Sequence, residues 1–496
     1  MITVMKLCRC LLAIFILTTT LHPSFAAATK VRVGISTGKA TLQLWSESKL
    51  LITDATQPQR KMVVAAQRKV LFTKDAAPQQ ITAHGTVLCG QVSITVDGHQ
   101  YAAWQIVNVR PLDWRQFIRV SSNGDNAQWS RPYRGTFEIT PQTYSFEPSH
   151  HLNPLRVVNI VDLEDYLKGV VPWEMTPTAP LEALKAQAIC ARSETLHDIQ
   201  GGRHRLDGFD MCDYDHCQGY PGTENENARS TLAVEQTAGL VLTYNGEIAD
   251  AVYGTNSGGI TADSTDVWRG PAVPYLRNVP DYIAGSAMDK VVKPKMTEAD
   301  WAVYCSTDLP SFAQPTQADI DELAARRAKS PRVAQMYRPG DLPDFYRWSR
   351  IITQAEALRA LGPKMQPRVN SINAWHVVQR APSGHIKKLQ IIGQWIENGA
   401  VKSTSSFIIE GDGAIRSMLS GRLGSIVSLP SSTFVVQPQY DKNKRPTAFI
   451  LKGAGWGHGV GMCQTGAAAH ATDGWTARQI LLWYFQGVKI QKFGNF

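Results

Sequence analysis

Short apolar runs broken by Gly, Asp and Asn mark the chain from Val31 to about Tyr144. Val31-Arg-Val-Gly-Ile, Gln91-Val-Ser-Ile-Thr-Val and Trp104-Gln-Ile-Val-Asn-Val predict β-strands joined by turns. Arg156-Val-Val-Asn-Ile-Val predicts another strand, after which the period changes. Helices are predicted around Leu163 to Gly169 and from Ala179 to about His197. The second has Thr178 as N-cap, Pro180 in its first turn, and a buried stripe of Leu181, Leu184, Ala188, Ala191 and Thr195 at three-four spacing. Gly239-Leu-Val-Leu-Thr-Tyr and Ile248-Ala-Asp-Ala-Val-Tyr form a predicted hairpin turned at Asn245-Gly246. From about 281 to 367 the chain turns polar and helical, with a charge-rich run from Asp319 to Lys329, and reads as an insertion or lid. Strand patterns return from Ser371 to Phe449, followed by a glycine-rich loop and a helix near Thr476 to Tyr484. The expected fold is therefore α+β: a β-rich N-terminal region over 29–150, then a mixed α/β domain over 151–490 with a helical insertion at about 281–367.

The first residues change the picture of where this fold works. Lys6 and Arg9 precede the apolar run Leu11 to Leu17, and small residues follow at Ser24, Ala26, Ala27 and Ala28. This is the order of a secretory signal peptide, predicted over 1–28. The run is shorter than the roughly 20 residues of a spanning helix, so the expectation is an exported protein, periplasmic or extracellular, with no transmembrane anchor after cleavage. A formal charge of +9 and a pI near 9.1 suit an anionic partner, whether cell-wall polymer, membrane surface or nucleic acid. No Lys/Arg run concentrates that charge, and export puts nucleic acid last among the three. Beyond the leader the cysteines are Cys89, Cys190, Cys212, Cys217, Cys305 and Cys463, too few in so long a chain for a dense disulfide framework.

Three segments carry candidate chemistry. In Gly169-Val-Val-Pro-Trp-Glu-Met-Thr-Pro a single glutamate, Glu174, sits between two prolines and against Trp173 and Met175. Apolar company strips hydration from a carboxyl and favours its protonated form, which is what a general acid needs. The alternative is a carboxylate that merely serves a helix end. In Met211-Cys-Asp-Tyr-Asp-His-Cys-Gln-Gly-Tyr, residues Cys212, His216 and Cys217 offer two thiols and an imidazole, with His204 as the nearest fourth donor for tetrahedral zinc. A Cys212–Cys217 disulfide and a catalytic cysteine are the other readings of that loop. Gly453-Ala-Gly-Trp-Gly-His-Gly-Val-Gly-Met-Cys-Gln-Thr-Gly exposes Trp456 and His458 on a flexible backbone, without the ending of a phosphate loop. It is either a ligand-facing loop or a tight strand-to-helix turn, and Asn256-Ser-Gly-Gly poses the same choice.

Taken in order, these pieces resemble the SpoIID/LytB family of bacterial cell-wall proteins. The resemblance rests on Leu163-Glu-Asp-Tyr-Leu-Lys-Gly-Val-Val-Pro-Trp-Glu-Met, Glu182-Ala-Leu-Lys-Ala-Gln-Ala with Ala191-Arg192, and His216-Cys-Gln. It continues through Tyr253 to Ser257-Gly-Gly, Val267-Trp268, Pro274-Tyr-Leu and Gly455-Trp-Gly-His-Gly-Val-Gly-Met with Gln464 and Gly466-Ala, and so covers roughly Arg156 to Ile490. It implies a peptidoglycan lytic transglycosylase with Glu174 as catalytic acid, and Arg192, Tyr275, Ser257, His458 and Gln464 as substrate-groove residues. Arg192 lies about 20 Å along its helix at about 1.5 Å per residue, which assigns it to substrate binding or support and not to proton transfer. Zinc at Cys212, His216 and Cys217 is a further implication, since some family members bind it at such a site. The alternatives are a muramidase that hydrolyses the same bond and a noncatalytic protein that binds glycan strands and stimulates a cell-wall amidase. Cys463 departs from the serine usual at that position, and the 281–367 segment is longer than the family's.

Overall fold

The computed structural model describes residues 29–35, 41–74, 90–122, 130–141, 155–282, 285–307, 311–314, 321, 346–419 and 428–494. The predicted signal peptide, Cys89 and nearly all of the charge-rich run Asp319 to Lys329 lie outside them. No described helix is long and apolar enough to cross a membrane.

The fold is α+β and begins, as the alternation predicts, with strands. Thr41–Ser46 buries every second residue, Leu42, Leu44 and Ser46, and leaves the residues between them half covered. It belongs to a six-stranded sheet in the order Ser130–Tyr133, Ile118–Ser122, Thr41–Ser46, Val70–Lys74, Val92–Val96, His99–Trp104. The second large sheet crosses the expected boundary near 150. Its seven strands run Met211–Cys212, Lys30–Gly34, Leu155–Asp162, Thr136–Pro141, Val107–Pro111, Leu50–Asp54, Lys61–Val64. Leu155–Asp162 pairs antiparallel with strands from the N-terminal region on both sides, and Met211–Cys212 adds a parallel edge next to Lys30–Gly34. The N-terminal region and the helical part thus share a sheet and one continuous apolar core, from Val31 to Val488.

On this core lie helices α1 (Leu163–Glu174), α2 (Leu181–Gly201) and α3 (Ala228–Gln236). The sequence ends α1 near Gly169, whereas the helix runs on through Pro172 to Glu174. Packing overrides the local breakers here. Val170, Val171 and Pro172 are buried, and a Cβ on Gly169 would come within 2.4 Å of the Gly222 carbonyl oxygen. A proline in the last turn leaves only one helical carbonyl without its donor. Helix α2 starts after Pro180 and has no side-chain cap. Thr178 is therefore not the N-cap; its N–H and hydroxyl turn to Thr176 Oγ1 instead. Nor is α2 a one-sided stripe. It is buried on nearly all sides from Ala183 to Leu196, because α1, α3, the strand Leu240–Tyr244 and the helices Gln464–Thr472 and Ala477–Tyr484 all pack on it.

The hairpin turn at Asn245-Gly246 forms as expected, with both residues in the left-handed region, φ 51° and 88°. Its second arm does not stay one strand. Glu247–Ile248 pairs with Leu240–Tyr244, while Tyr253–Gly254 leaves to pair in parallel with Met462–Cys463. The later strands, Arg347–Thr353, Phe434–Tyr440 and Pro446–Ala454 in one sheet and Ser371–Arg380, Ile386–Glu397 and Ala400–Glu410 in another, enclose a second apolar core around Ile352, Leu389 and Phe449. Within 281–367 the described residues form helices Ala287–Val291, Glu298–Ser306 and Gln354–Leu361 and the strand Arg347–Thr353. The predicted helix near Thr476 to Tyr484 forms as Ala477–Tyr484, and the structure shows Thr476 as its cap, completed by Gln479 as a capping box.

Candidate active site and thiol–imidazole cluster

Glu174 is the last residue of α1, half-buried, with the chain turning extended at Met175 immediately beyond it. Its Oε1 accepts the Gly219 backbone N–H at 2.7 Å. Its backbone carbonyl, one of the C-terminal carbonyls of a helix that lack an internal donor, accepts Gln464 Nε2 at 3.1 Å. Gln464 in turn lies 3.3 Å from Gln187 Oε1 on α2. Glu174 is therefore held from three directions, its backbone by α1 and by the start of helix Gln464–Thr472, and its carboxyl by the 211–220 loop. Gln464, one of the predicted groove residues, contacts Glu174 directly.

Gly219 is a contact of Glu174 that the side-chain pattern does not reveal, since it is made through the backbone. The site has no room for another residue, because a Cβ would fall 1.9 Å from the Trp173 indole. Beside it Gln218 is fully buried and spans to α2. Its Nε2 donates to Ala191 O at 3.1 Å and Glu194 Oε2 at 2.9 Å, while its Oε1 receives Thr195 Oγ1 at 3.2 Å. Burial first, then the charges of Asp250, Asp198 and Glu174, push the Glu194 carboxyl well above its ordinary range, against the Gln218 hydrogen bond. The position of Gln218 and Gly219 directly after His216-Cys217 is the sequence signal that could have drawn attention to them.

The other predicted groove residues serve the scaffold. Arg192 is completely buried and forms a bidentate pair with Glu164, Nε to Oε1 at 2.9 Å and Nη2 to Oε2 at 2.7 Å, with Nη1 donating to Leu240 O at 3.0 Å. A side chain with no exposed surface cannot meet a glycan, so the substrate-binding assignment is corrected to structural support. Ser257 donates to the buried Asp281 at 2.9 Å, and the Tyr275 hydroxyl accepts the Asp250 N–H at 2.9 Å. His458 receives Val460 N–H at Nδ1 (3.1 Å), which leaves Nε2 to donate to Tyr253 O at 2.9 Å. Burial, then the Arg416 charge, lowers this imidazole to about 4, so it is a neutral lock between the glycine-rich loop and Tyr253–Gly254. Cys463 takes the role a serine would have, its Sγ accepting the Gly466 N–H at the start of helix Gln464–Thr472.

The loop donors do come together. His204, Cys212, His216 and Cys217 each present one ligand atom, all within 4.8 Å of one another. His204 Nε2 lies 3.1 Å from Cys217 Sγ, and His216 Nδ1 lies 3.7 Å from both thiols, which are free. Asp207 holds His204 Nδ1 at 2.9 Å and so turns Nε2 toward the sulfurs, the outer-shell arrangement of metal-ligating histidines. Hydrogen bonding with Cys212, then burial, pushes the Cys217 thiol up to about 12. Burial works against charge on His204, yet Cys217 and Asp207 outweigh it and raise the imidazole to about 9. These are protons that a divalent cation would expel on binding.

One carboxyl at a helix end, set by the loop that also gathers two thiols and two imidazoles, marks the class: an α+β protein whose acid site and Cys/His cluster share one segment. Residues 152–244 match the model of the SpoIID family, described as Stage II sporulation protein, so this segment is similar to that family. Residues 262–461 match a domain of unknown function, DUF8618, which takes in the second apolar core. An uncharacterized protein of Brachyspira hyodysenteriae is 27% identical over 339 residues, 68% of this chain and 69% of that one. The Amidase enhancer of Bacillus subtilis is 26% identical over 409 residues, 76% of this chain but 50% of its own length. Stage II sporulation protein D of the same organism is 25% identical over 352 residues, 68% of this chain and 77% of its own.

Proposed function

We propose that this protein acts on the bacterial cell wall, as an exported peptidoglycan lytic transglycosylase. The observation that carries the reading is Glu174, a half-buried carboxyl with its Oε1 on the Gly219 amide and its own carbonyl fixed by Gln464. Protonated Glu174 gives its proton to the glycosidic oxygen between N-acetylmuramic acid and N-acetylglucosamine as the C1–O bond breaks. The carboxylate then takes the proton of the muramoyl C6 hydroxyl while O6 bonds to C1, closing a 1,6-anhydro ring and restoring the acid. The Gly219 N–H supports the carboxylate in the interval between the two transfers, as a fixed dipole aimed at developing charge does. Hydrolysis would instead use two carboxyls, about 5–5.5 or 6.5–9.5 Å apart. Glu194, which shares the electrostatic environment of Glu174, is buried and bonded to Gln218, and so is ill placed to hold a water.

The cluster of His204, Cys212, His216 and Cys217 suits zinc, and these four side chains would hold it. A closed four-coordinate site contributes a structural cross-link and no open position for substrate.

A second reading, a noncatalytic enhancer of a cell-wall amidase, is favoured by the similarity to the Amidase enhancer, which spans 76% of this chain. Purified protein incubated with peptidoglycan, and with glycan strands stripped of stem peptides, separates the two by mass spectrometry. Anhydro-muropeptides from the wild type and none from Glu174→Gln are the expected result. Reducing ends mean hydrolysis, and an unchanged substrate together with a stimulated amidase establishes the enhancer.

A further inference from the structure

Positive charge that no Lys/Arg run concentrates along the chain is gathered in space by the seven-stranded sheet. Val63, Leu51 and Arg110 stand directly opposite one another across the strands Lys61–Val64, Leu50–Asp54 and Val107–Pro111. Residues in such a row share one face. Alternation sends Leu50, Ile52, Val64 and Val109 into the core, so the row lies on the outer face. In the next row on that face Thr53 stands between Lys61 and Asn108. At the other end the ladder continues past the strands, where Leu112 donates its N–H to Lys49 O at 2.8 Å. The face thus carries the exposed cations Lys49, Lys61 and Arg110 beside Leu51, Leu112 and Val63, the last two 46% and 56% exposed. Beyond Leu112 the chain makes a tight turn. Asp113 donates its N–H to Ser48 Oγ at 3.0 Å, and accepts the Arg115 N–H at Oδ1 (3.1 Å) and the Gln116 N–H at its carbonyl (3.0 Å). Trp114 at the tip is 80% exposed, with the Arg115 guanidinium 5.7 Å from its ring. Lys49, Lys61, Arg110 and Arg115 form no ion pair among the described residues. The acids beside them in the chain are Asp113 and Glu47, which takes Gln67 Nε2 at 2.8 Å, so the face is net positive.

We infer that this face docks on an anionic phospholipid bilayer, with Trp114 and Leu112 entering the interface and Lys49, Lys61, Arg110 and Arg115 lying over the headgroups. A soluble polyanion would satisfy the cations but leave Leu112, Val63 and Leu51 in water. An uncharged apolar surface would do the reverse. A bilayer with anionic headgroups meets both demands, because its apolar layer lies directly beneath a negative surface. Tryptophan is the side chain that settles at that boundary, its ring in the apolar layer and its N–H toward water. The turn at 113–116 suits such a role, since its hydrogen bonds already fix the backbone that presents Trp114 and little ordering is left for binding to impose. Each cation close to such a surface strengthens attachment about fivefold, and salt screens this gain within a Debye length. The resulting attachment is shallow, reversible and sensitive to salt. No part of it involves Glu174 or the thiol–imidazole cluster.

The experiment floats the chain over 29–496, which keeps every described residue, with vesicles of phosphatidylglycerol and phosphatidylethanolamine, and with vesicles of phosphatidylcholine alone. The wild type should rise with the anionic vesicles at low salt, release at high salt, and stay behind with phosphatidylcholine. Lys49→Glu with Arg110→Glu should weaken the anionic binding by about twentyfold or more, from two cations at about fivefold each. Trp114→Ala should weaken it about tenfold, the worth of one large apolar side chain taken partly out of water. All of these positions are exposed, so melting temperatures near that of the wild type should show the fold intact. Lys402→Glu with Lys442→Glu, exposed cations of the second body, makes the same change in net charge and should leave binding within about twofold, as positions beyond a Debye length from the surface do. Equal flotation with both kinds of vesicle overturns the inference, as does flotation unaffected by the changes at Lys49, Arg110 and Trp114. An equal loss in the Lys402/Lys442 pair also overturns it, because net charge and not this face would then be responsible. A wild type that ignores vesicles but binds isolated sacculi, with Lys49→Glu and Arg110→Glu abolishing that binding, assigns the face to wall polymer and overturns the bilayer.

Discussion

Helix α1 carries a glutamate at each end, and the two are held in opposite ways. Glu164, in the first turn, has both oxygens on the fully buried guanidinium of Arg192, and Oε1 also takes the Gly239 N–H at 3.0 Å. Glu174, the last residue, has Oε1 on a neutral backbone amide. A full positive charge across both oxygens commits a carboxylate to its partner and to the scaffold. An amide dipole supports a charge as it forms without cancelling it, which is what a group that gives and takes a proton requires. The same residue type on the same helix thus becomes a brace at one end and a candidate acid at the other.

The sharpest break of this comparison is Glu174→Gln, which should lower anhydro-muropeptide release by roughly 10³-fold, within the range for general acid–base groups. Its melting temperature should stay near that of the wild type, measured in the same preparation. At the opposite end, Arg192→Ala should cost about 3 kcal/mol in denaturant unfolding, the lower end for breaking a buried pair, because Glu164 keeps about a third of its side chain in water. Arg192→Lys should recover only part of this, as a point charge cannot reproduce the fork. If Arg192→Ala were as stable as the wild type yet unable to bind glycan, the corrected assignment of Arg192 would itself be wrong.

A smaller effect is expected for Gln464→Ala, which frees the Glu174 carbonyl: about 1 kcal/mol of stability, the usual net value of one hydrogen bond, and a lower kcat in the product assay. The smallest sharpens the comparison through pH. The folded-state pKa of Glu194 lies well above the ordinary 4.5, so the folded form holds this proton more tightly than the unfolded chain. The stability it contributes is complete below about 4.5 and declines as pH rises toward the folded value. Glu194→Gln keeps an acceptor for Gln218 and removes the titration, so the urea midpoint should fall less steeply above pH 4.5 than in the wild type. An identical slope in both proteins would show that Glu194 does not titrate differently on folding.

Much of this was legible in the chain. Apolar alternation gives Thr41–Ser46 and its neighbours, the Asn-Gly pair gives the turn at 245–246, and the pattern near the C-terminus gives the helix Ala477–Tyr484. Glu174 stood out by its apolar neighbours, and the loop cluster by its spacing, and the structure places His204 beside Cys212, His216 and Cys217. For Arg192 the sequence left substrate binding and structural support both open, because order along a helix says nothing of which neighbours will enclose it; burial favours support. Gly219 was missed because a backbone N–H leaves no trace in residue type.

The sequence by itself determined the α+β class, much of the strand and helix content and the residues of the Cys/His cluster, and it singled out Glu174 as the candidate acid. These depend on periodicity, turn chemistry and residue type, which are local. Only the tertiary structure decided that α1 continues through Pro172, that the N-terminal strands share a sheet with Leu155–Asp162, and which glutamate of α1 meets a charge and which an amide. Each of those depends on the packing of segments distant in the chain, where the burial of apolar surface and the pairing of buried polar groups outweigh local preference.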